Sequence, residues 1–300
     1  MQNYIDYRKV QKPLNLDNFI VEIGFGSGDF LIRLAEKNKE EIFFGIEKSW
    51  IPINKLLKKS ELRKINNIYC TRLDAYWAFQ LLFKDRSVKM IIMNYPDPWF
   101  KKSHVEKRLT KRENLFIYAK KLIPNGEIKI RTDDYTFVEF TLHESDFLKC
   151  FSTNISNPSI NEPLTKYEKK WLSMGRNIWD IVLKKEKEPA LIEIKKIVEV
   201  KELFPVKVFN KELNINAISH KEFKIEEGLY LKCFSVWKRN QDYAIEVVVS
   251  EKDFLQAFLI TAKKKDEYFI IDVSQFSEIL KTEGVQKILN FLANLFVEAL

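Results

Sequence analysis

The chain has 300 residues, of which 46% are hydrophobic and 31% charged, and its formal net charge is +8. The length suggests two domains with packed cores. No apolar segment resembles a signal peptide or is long enough to span a bilayer, and the scattered cysteines and histidines indicate neither a disulfide framework nor a zinc site. The sequence therefore predicts a cytoplasmic protein without a membrane segment or a metal.

The positive charge is unevenly distributed along the chain. Residues 1–189 contain 34 Lys and Arg against 25 Asp and Glu, whereas residues 190–300 contain 16 against 17. A positive surface attracts phosphate groups and accelerates encounters with polyanions. The first part of the chain is therefore the part expected to meet a nucleic acid.

The first predicted strand, Phe19–Ile23, runs into a glycine-rich turn, and a helix is predicted over Phe30–Lys37. The turn contains three glycines at alternate positions, Gly24, Gly26 and Gly28. The spacing differs from the Gly-x-Gly-x-x-Gly that places a dinucleotide pyrophosphate on a helix N-terminus. Glu22, just before the glycines, would repel a pyrophosphate but tolerate a cationic ligand.

Two further acids follow the next two predicted strands. The strand Ile42–Ile46 is followed by Glu47, and the strand Ile68–Thr71 leads to Asp74 and Ala75. An acid at the tip of the second strand is well placed to accept hydrogen bonds from both ribose hydroxyls of an adenosine. Three acids after three successive strands favour a nucleoside site.

The fourth predicted strand, Val88–Met93, ends in an unusual loop. Asp97 lies between Pro96 and Pro98, and each proline ring fixes its own φ, which holds the carboxylate stiffly. Aromatic side chains and the basic residues Lys101 and Lys102 follow. Such a combination suits a flat base carried on a phosphate backbone.

The rest of the first part continues to alternate helices and strands. Helices are predicted over Ala75–Leu82, Glu113–Leu122 and Tyr135–Phe147, and strands over Glu127–Thr132 and Ile178–Leu183. This alternation predicts an α/β fold, a Rossmann-like, mostly parallel sheet with helices on both faces. Right-handed crossovers would then bring the glycine turn and the acids Glu47, Asp74, Asp97 and Asp133 to one edge.

A charged run closed by Pro189 predicts a linker, which divides the chain into a domain over residues 1–187 and an extension over residues 190–300. The extension is predicted to be a smaller α+β domain of unknown role, with strands at Gly228–Val236, Tyr243–Ser250 and Tyr268–Val273 and a helix at Val285–Leu300. That helix is apolar on more than one face, so it is expected to dock on the rest of the chain or on a second copy. The protein is thus expected to be a monomer or a homodimer.

Several motifs together resemble the bacterial tRNA (guanine-N7)-methyltransferase family, a family of class I S-adenosylmethionine-dependent methyltransferases. The resemblance covers about residues 15–185. It is carried by the glycine turn, Gly45-Ile46-Glu47, Asp74-Ala75, Pro96-Asp97-Pro98-Trp99, Thr132-Asp133, Thr165-Lys166-Tyr167-Glu168, Gly175 and Ile178-Trp179-Asp180. It implies methyl transfer to guanosine N7 of tRNA, at position 46 by analogy, with S-adenosylmethionine as cofactor.

The resemblance also implies roles for individual residues. Asp97 would be the active-site acid. The cofactor would be bound by Glu22, Gly24, Gly26, Gly28, Glu47, Asp74, Ala75 and Asp97. The guanosine or the tRNA around it would be contacted by Lys101, Asp133, Thr165, Lys166, Tyr167 and Glu168.

A basic run beside the Pro-Asp-Pro loop extends the expected contact with RNA. Residues 101–131 include ten basic and three acidic residues. The predicted RNA-binding patch consists of Lys102, His104, Lys107, Arg108, Lys111 and Arg112.

The chain departs from the family pattern at a few positions that concern RNA contact more than the reaction. Asn94-Tyr95 stands where an aromatic pair is usual, and Phe100, Ser103 and Asp134 replace a histidine, an arginine and a tryptophan. Only a short segment precedes the first strand, where many relatives have a longer N-terminal arm.

Three other functions remain open from the sequence. A methyltransferase acting on adenine N6 is suggested by Asn94-Tyr95-Pro96-Asp97, which loosely resembles the Asn-Pro-Pro-aromatic turn of those enzymes. A nicotinamide-dependent oxidoreductase would also use a Rossmann-like site, although the glycine spacing disfavours it. A non-catalytic RNA-binding protein could keep the same fold, although the intact acids argue against it.

Overall fold

The computed structural model describes residues 3–157 and 177–298. Contacts between residues divide the chain into two compact units, residues 1–193 and 194–300. This division lies a few residues after the linker that the sequence predicts. None of the helices in the described ranges is long and apolar enough to cross a membrane.

The first unit contains a seven-stranded sheet with the order β3-β2-β1-β4-β5-β7-β6. The first five strands of the chain run parallel, whereas β7 is antiparallel to both β5 and β6. The predicted Rossmann-like α/β fold is therefore confirmed. The strands are β1 (Phe19–Ile23), β2 (Phe43–Glu47), β3 (Ile68–Arg72), β4 (Val88–Asn94), β5 (Leu122–Thr132), β6 (Phe151–Ser156) and β7 (Trp179–Lys185).

Five α-helices connect these strands within the described part of the first unit. They are α1 (Asp29–Lys37), α2 (Trp50–Leu62), α3 (Ala75–Leu82), α4 (Arg112–Lys121) and α5 (Tyr135–Leu148). Short polar side chains cap three of them, because Ser49, Asp74 and Asp134 each accept a hydrogen bond from a backbone N–H in the first turn. Two short 3₁₀ segments, Tyr7–Lys9 and Lys102–Lys107, complete the unit.

Aromatic packing fixes α3 against the centre of the sheet. The ring of Phe83 lies 5.0 Å from Phe19 on β1, 4.9 Å from Phe44 on β2 and 5.0 Å from Phe79 on α3, measured between centroids. Edge-to-face pairs of this kind each contribute about 0.5–1.5 kcal/mol beyond the area they bury. The strands that carry the glycine turn and Glu47 thus rest on a rigid layer.

In its described residues, the second unit has a six-stranded antiparallel sheet and one α-helix, which agrees with the predicted α+β domain. Its helix α6 (Glu283–Glu298) packs on β8 and β13 and buries Ile288, Leu292 and Phe296. This helix therefore docks within its own unit. In sheet order, the strands are β8 (Val206–Val208), β13 (Phe269–Val273), β12 (Phe254–Lys264), β11 (Asp242–Glu251), β10 (Leu229–Arg239) and β9 (Glu222–Glu226).

The outermost strands of both sheets are short, polar or covered. In the first sheet, β6 is mostly exposed and rich in Ser, Thr and Asn, and the backbone of β3 is bridged by the N-terminal segment, where Ile5 N–H donates to Cys70 O at 2.8 Å. In the second sheet, β8 has three residues and β9 alternates charged with apolar side chains.

Candidate active site

Five acids that the sequence assigns to the site lie at one edge of the parallel sheet. Glu22 is the penultimate residue of β1, Glu47 ends β2, Asp74 follows β3, Asp97 follows β4 and Asp133 follows β5. The strand order reverses direction between β1 and β4, and open α/β sheets bind ligands at such a point, outside the carboxyl ends of the strands.

The glycine turn combines left-handed backbone with open space. Gly24, Gly26 and Gly28 have φ values of 71°, 53° and 74°. A Cβ added to Gly24 or Gly26 would meet no atom within 4 Å, whereas one added to Gly28 would lie 2.7 Å from Leu56 Cδ1. The first two glycines therefore keep the space above the strand ends clear, and the third lets α1 approach α2.

Glu22 is a buried carboxylate with one free oxygen. Its side chain is 2% exposed, and its Oε1 accepts a hydrogen bond from Asn94 Nδ2 at 3.0 Å. Its Oε2 is buried and has no hydrogen-bond partner in the described part of the chain. Burial raises the pKa of Glu22 to about 7, although the Asn94 hydrogen bond and the charge of Arg33 oppose this shift and Glu47 adds to it.

Glu47 holds the glycine turn to the end of β2. Its Oε2 accepts a hydrogen bond from Gly26 N–H at 3.3 Å, and its Oε1 accepts one from Lys48 N–H at 2.8 Å. Asp74 is likewise engaged: Oδ1 accepts the Tyr76 N–H at 2.8 Å at the start of α3, and Oδ2 pairs with Lys48 Nζ at 2.5 Å. Ala75, the first residue of α3, is buried beside it.

The loop after β4 exposes Asp97 and lies between two left-handed residues. Tyr95 has a φ of 54° and Trp99 a φ of 46°, a region that residues other than glycine seldom adopt. The N–H of Tyr95 donates to Arg131 O on β5 at 2.7 Å. Asp97 is exposed, while Pro96 beside it is buried.

Arg108 has a different environment from the one that the sequence predicts. Its side chain is 6% exposed, its Nε donates to Pro98 O at 2.7 Å, and its Cζ lies 4.5 Å from the ring centroid of Phe140. The Nε of Arg108 is thus engaged by the loop, and the residue is mostly buried. We therefore assign Arg108 to the loop, and its place in the RNA-binding patch stays a prediction.

The remaining basic residues divide into exposed and paired ones. Lys101 and Lys107 are exposed, and Lys107 Nζ lies 4.9 Å from the ring centroid of Trp99, which also contacts His104. Lys111 is within 3.7 Å of a Glu113 oxygen, and Arg112 Nε is 3.2 Å from Glu144 Oε2. The free positive charge is thus smaller than the sequence count suggests.

Some predicted site residues lie outside the described part of the chain. They are Thr165, Lys166, Tyr167 and Glu168, together with the side chain of Lys102.

Some residues of the site are not identified as such from the sequence. Asn94 is apparent there only as a departure from the family pattern, yet a polar residue at the end of an apolar strand signals a role at the sheet edge. Arg131 forms a bidentate ion pair with Asp180, with distances of 2.6 and 2.7 Å, that ties β5 to β7 beside Asp133.

Within the ranges that the structure describes, no group of His, Cys, Asp or Glu is arranged to hold a metal ion.

Comparison with known proteins shows the family to which the chain belongs. A family model described as a putative methyltransferase matches residues 17–181. A tRNA (guanine-N(7)-)-methyltransferase of Aquifex aeolicus is 47% identical over 292 residues, which cover 97% of this chain and 98% of that protein. One of Thermotoga maritima is 27% identical and covers 89% of this chain and 85% of that protein. Among solved structures, a putative methyltransferase of Streptococcus mutans in complex with SAH has a TM-score of 0.38 and 12% identity, over 56% of this chain and 90% of that chain.

The sheet order, the glycine turn and the family match define a methyltransferase with a Rossmann-like fold. Within that class, the chain belongs to the tRNA (guanine-N7)-methyltransferase family.

Proposed function

We propose that this protein transfers a methyl group from S-adenosylmethionine to N7 of a guanosine in tRNA. The observation that carries the proposal is the 47% identity, over nearly the whole chain, to a relative with that name. The carboxyl edge of the sheet at β1 and β4 supports it, because acids that suit a cationic nucleoside follow successive strands there.

The residues at this edge of the sheet fit S-adenosylmethionine. The buried Oε2 of Glu22 has no hydrogen-bond partner in the described part of the chain, and the space above Gly24 and Gly26 is open. Glu47 at the end of β2 is placed to accept hydrogen bonds from a ribose. Asp74 and Ala75 lie beside it, at the start of α3. When bound, the cofactor supplies a methyl group on a cationic sulfur.

Guanine N7 carries an in-plane lone pair and no proton, so its methylation requires no general base. The protein's contribution is then the alignment of the two reactants and the stabilisation of charge that moves onto the purine. Asp97 is our candidate for the second task, because it is exposed and held between two prolines at the carboxyl end of β4. Its negative charge would stabilise the positive charge that develops on the purine during methyl transfer.

We assign the approach of the tRNA to the loop after β4 and to the residues beyond it. Lys101 and Lys107 are exposed there and suit phosphate groups. We assign contact with the guanosine to Asp133, which follows β5 at the same edge of the sheet. The proposed contacts of Thr165, Lys166, Tyr167 and Glu168, and position 46 as the target, rest on the family resemblance.

The direct test is to map the product. Purified protein is incubated with bulk unmodified tRNA and labelled S-adenosylmethionine, and the RNA is digested to nucleosides for chromatography and mass spectrometry. We expect label in N7-methylguanosine. Label in N6-methyladenosine would replace the proposal by the adenine alternative.

Two further outcomes address the remaining alternatives. A binding titration that detects NAD but not S-adenosylmethionine would favour the oxidoreductase. Binding of tRNA without transfer of label to any RNA would favour a non-catalytic RNA-binding protein.

A further inference from the structure

The conformation of the loop that carries Asp97 depends on contacts with residues outside the loop. Tyr95 and Trp99 both adopt left-handed backbone conformations, and such residues persist only where the surrounding structure enforces them. Pro96 and Pro98 have no N–H, so this stretch of backbone has few donors with which to stabilise itself. Something outside the loop must therefore fix it on both sides of Asp97.

On the N-terminal side, β5 supplies the support. The N–H of Tyr95 donates to the carbonyl oxygen of Arg131 at 2.7 Å. The side chain of the same arginine donates two hydrogen bonds to Asp180 on β7. The start of the loop is thus bonded to the sheet itself.

On the C-terminal side, the support comes from Arg108. Its Nε donates to the Pro98 carbonyl at 2.7 Å, and its guanidinium lies over the ring of Phe140 on α5, with Cζ 4.5 Å from the centroid. Unlike Lys111 and Arg112, Arg108 has no carboxylate partner among the described residues. Among the described residues, its contacts with the loop carbonyl and the ring are therefore those that stabilise this mostly buried charge.

We propose that Arg108 is a positioning residue: it clamps the Pro98 carbonyl against Phe140 and thereby fixes the carboxylate of Asp97 for methyl transfer. The inference rests on the role proposed above for Asp97. It differs from the RNA-binding role that the sequence suggests, because the Nε of Arg108 is bonded to the loop and the residue is only 6% exposed. Lys107 beside it is exposed and, like Lys101, is proposed to meet a phosphate.

The experiment compares R108M and R108K with the unmodified protein and with K107A. Three quantities are measured for each: kcat with saturating tRNA, the Kd for tRNA at several salt concentrations, and hydrogen exchange of the peptide that spans residues 95–107. Methionine removes the donor and the charge, while lysine keeps the charge but loses the planar guanidinium that fits between carbonyl and ring. Thermal melting identifies a temperature at which all variants are folded.

We expect kcat of R108M to fall about 100-fold, the scale reported for a reacting group displaced by about 1 Å. R108K should lose most of the same activity, and in both variants the loop should exchange faster while the Kd for tRNA and its salt dependence stay unchanged. K107A should instead weaken tRNA binding and reduce the salt slope by about 1.

Three results would overturn the clamp. If R108M weakened tRNA binding and lowered the salt slope as K107A does, Arg108 would be an RNA ligand. If R108K restored full kcat, charge alone would matter. If exchange rose throughout the unit and not mainly in the loop, the role would be general stability. An unmodified protein that methylates no tRNA would refute the proposed function instead, and the exchange comparison would still test the clamp.

Discussion

The side-chain amide of Asn94 donates a hydrogen bond of 3.0 Å to the buried carboxylate of Glu22, and this bond joins β4 to β1 where the strand order reverses. Glu22 lies two residues before Gly24, and Asn94 lies two residues before Pro96. The two segments proposed to bring cofactor and guanosine together are thus linked by a side-chain hydrogen bond in addition to the backbone pairing of β1 and β4. The bond also favours the ionised form of Glu22.

The first prediction concerns N94A. Removal of the amide raises the pKa of Glu22 further, because the hydrogen bond lowers it in the native protein. If the ionised carboxylate binds the cationic part of S-adenosylmethionine, the affinity of N94A near neutral pH should fall and recover as pH rises. Calorimetric titration between pH 6 and pH 9, roughly the span around the pKa of Glu22, measures this effect. The matched control is N154A, which replaces an exposed asparagine on β6. If the affinity of N94A for S-adenosylmethionine depended on pH in the same way as that of N154A, the prediction would be contradicted.

The second prediction concerns stability and pH. The pKa of Glu22 is about 7 in the folded protein and 4.5 in the reference state, so at intermediate pH the folded state retains a proton that the unfolded state releases. Stability from this group is fully present below pH 4.5, and is lost as pH rises to about 7. Relative to E22Q, the free energy of unfolding should decline by up to about 3 kcal/mol over this range. Urea unfolding at a series of pH values provides the test, and a difference that is constant with pH would exclude it.

The third prediction compares two glycines of the turn. G26A and G28A share the strain of a left-handed alanine, about 1–2 kcal/mol, but only G28A also forces a methyl group against Leu56. We expect G28A to lower the free energy of unfolding more than G26A does. G26A should instead weaken cofactor binding, because its methyl group enters the open space. Thermal melting measures the stability of the two variants, and a binding titration measures their affinity for the cofactor. If G26A and G28A had equal effects on stability and on affinity, the two glycines would not have different roles.

The fourth prediction concerns D97A. If Asp97 stabilises the positive charge that develops on the purine, its removal should reduce kcat by about 100-fold or more while the Kd for tRNA changes little. Single-turnover methylation and filter binding measure the two quantities. A comparable loss in both would instead make Asp97 a determinant of tRNA binding.

Much of the fold follows from the sequence because the buried parallel strands are short apolar runs with clear ends. Helix α2 is not assigned there, since it carries a proline in its first turn and buries only a narrow stripe, Ile53, Leu56 and Ser60. Strand β6 is polar and exposed, and gives no strand pattern. Strand β12 is also missing from the prediction, although the neighbours it joins are present.

The candidate site, like the fold, is only partly predictable from the sequence. The acids are apparent in the sequence because each follows a strand, and the topology alone brings them to one edge. The partners of Asn94 and Arg108 are not apparent, since they depend on which strands are neighbours and on how α5 packs over the loop. Composition counts Arg108 as a surface cation, whereas the structure gives its guanidinium a carbonyl and a ring.

The outermost strands of the two sheets have a consequence for behaviour at high concentration. An unprotected strand invites another chain to add to it and so begins fibril growth. Here β8 has only three residues, which are too few to pair stably with another strand. The charged side chains that alternate along β9 disfavour pairing with a strand of another molecule. The N-terminal segment is bridged to the outer edge of β3 and so covers part of it. We therefore expect the folded protein to resist intermolecular polymerisation.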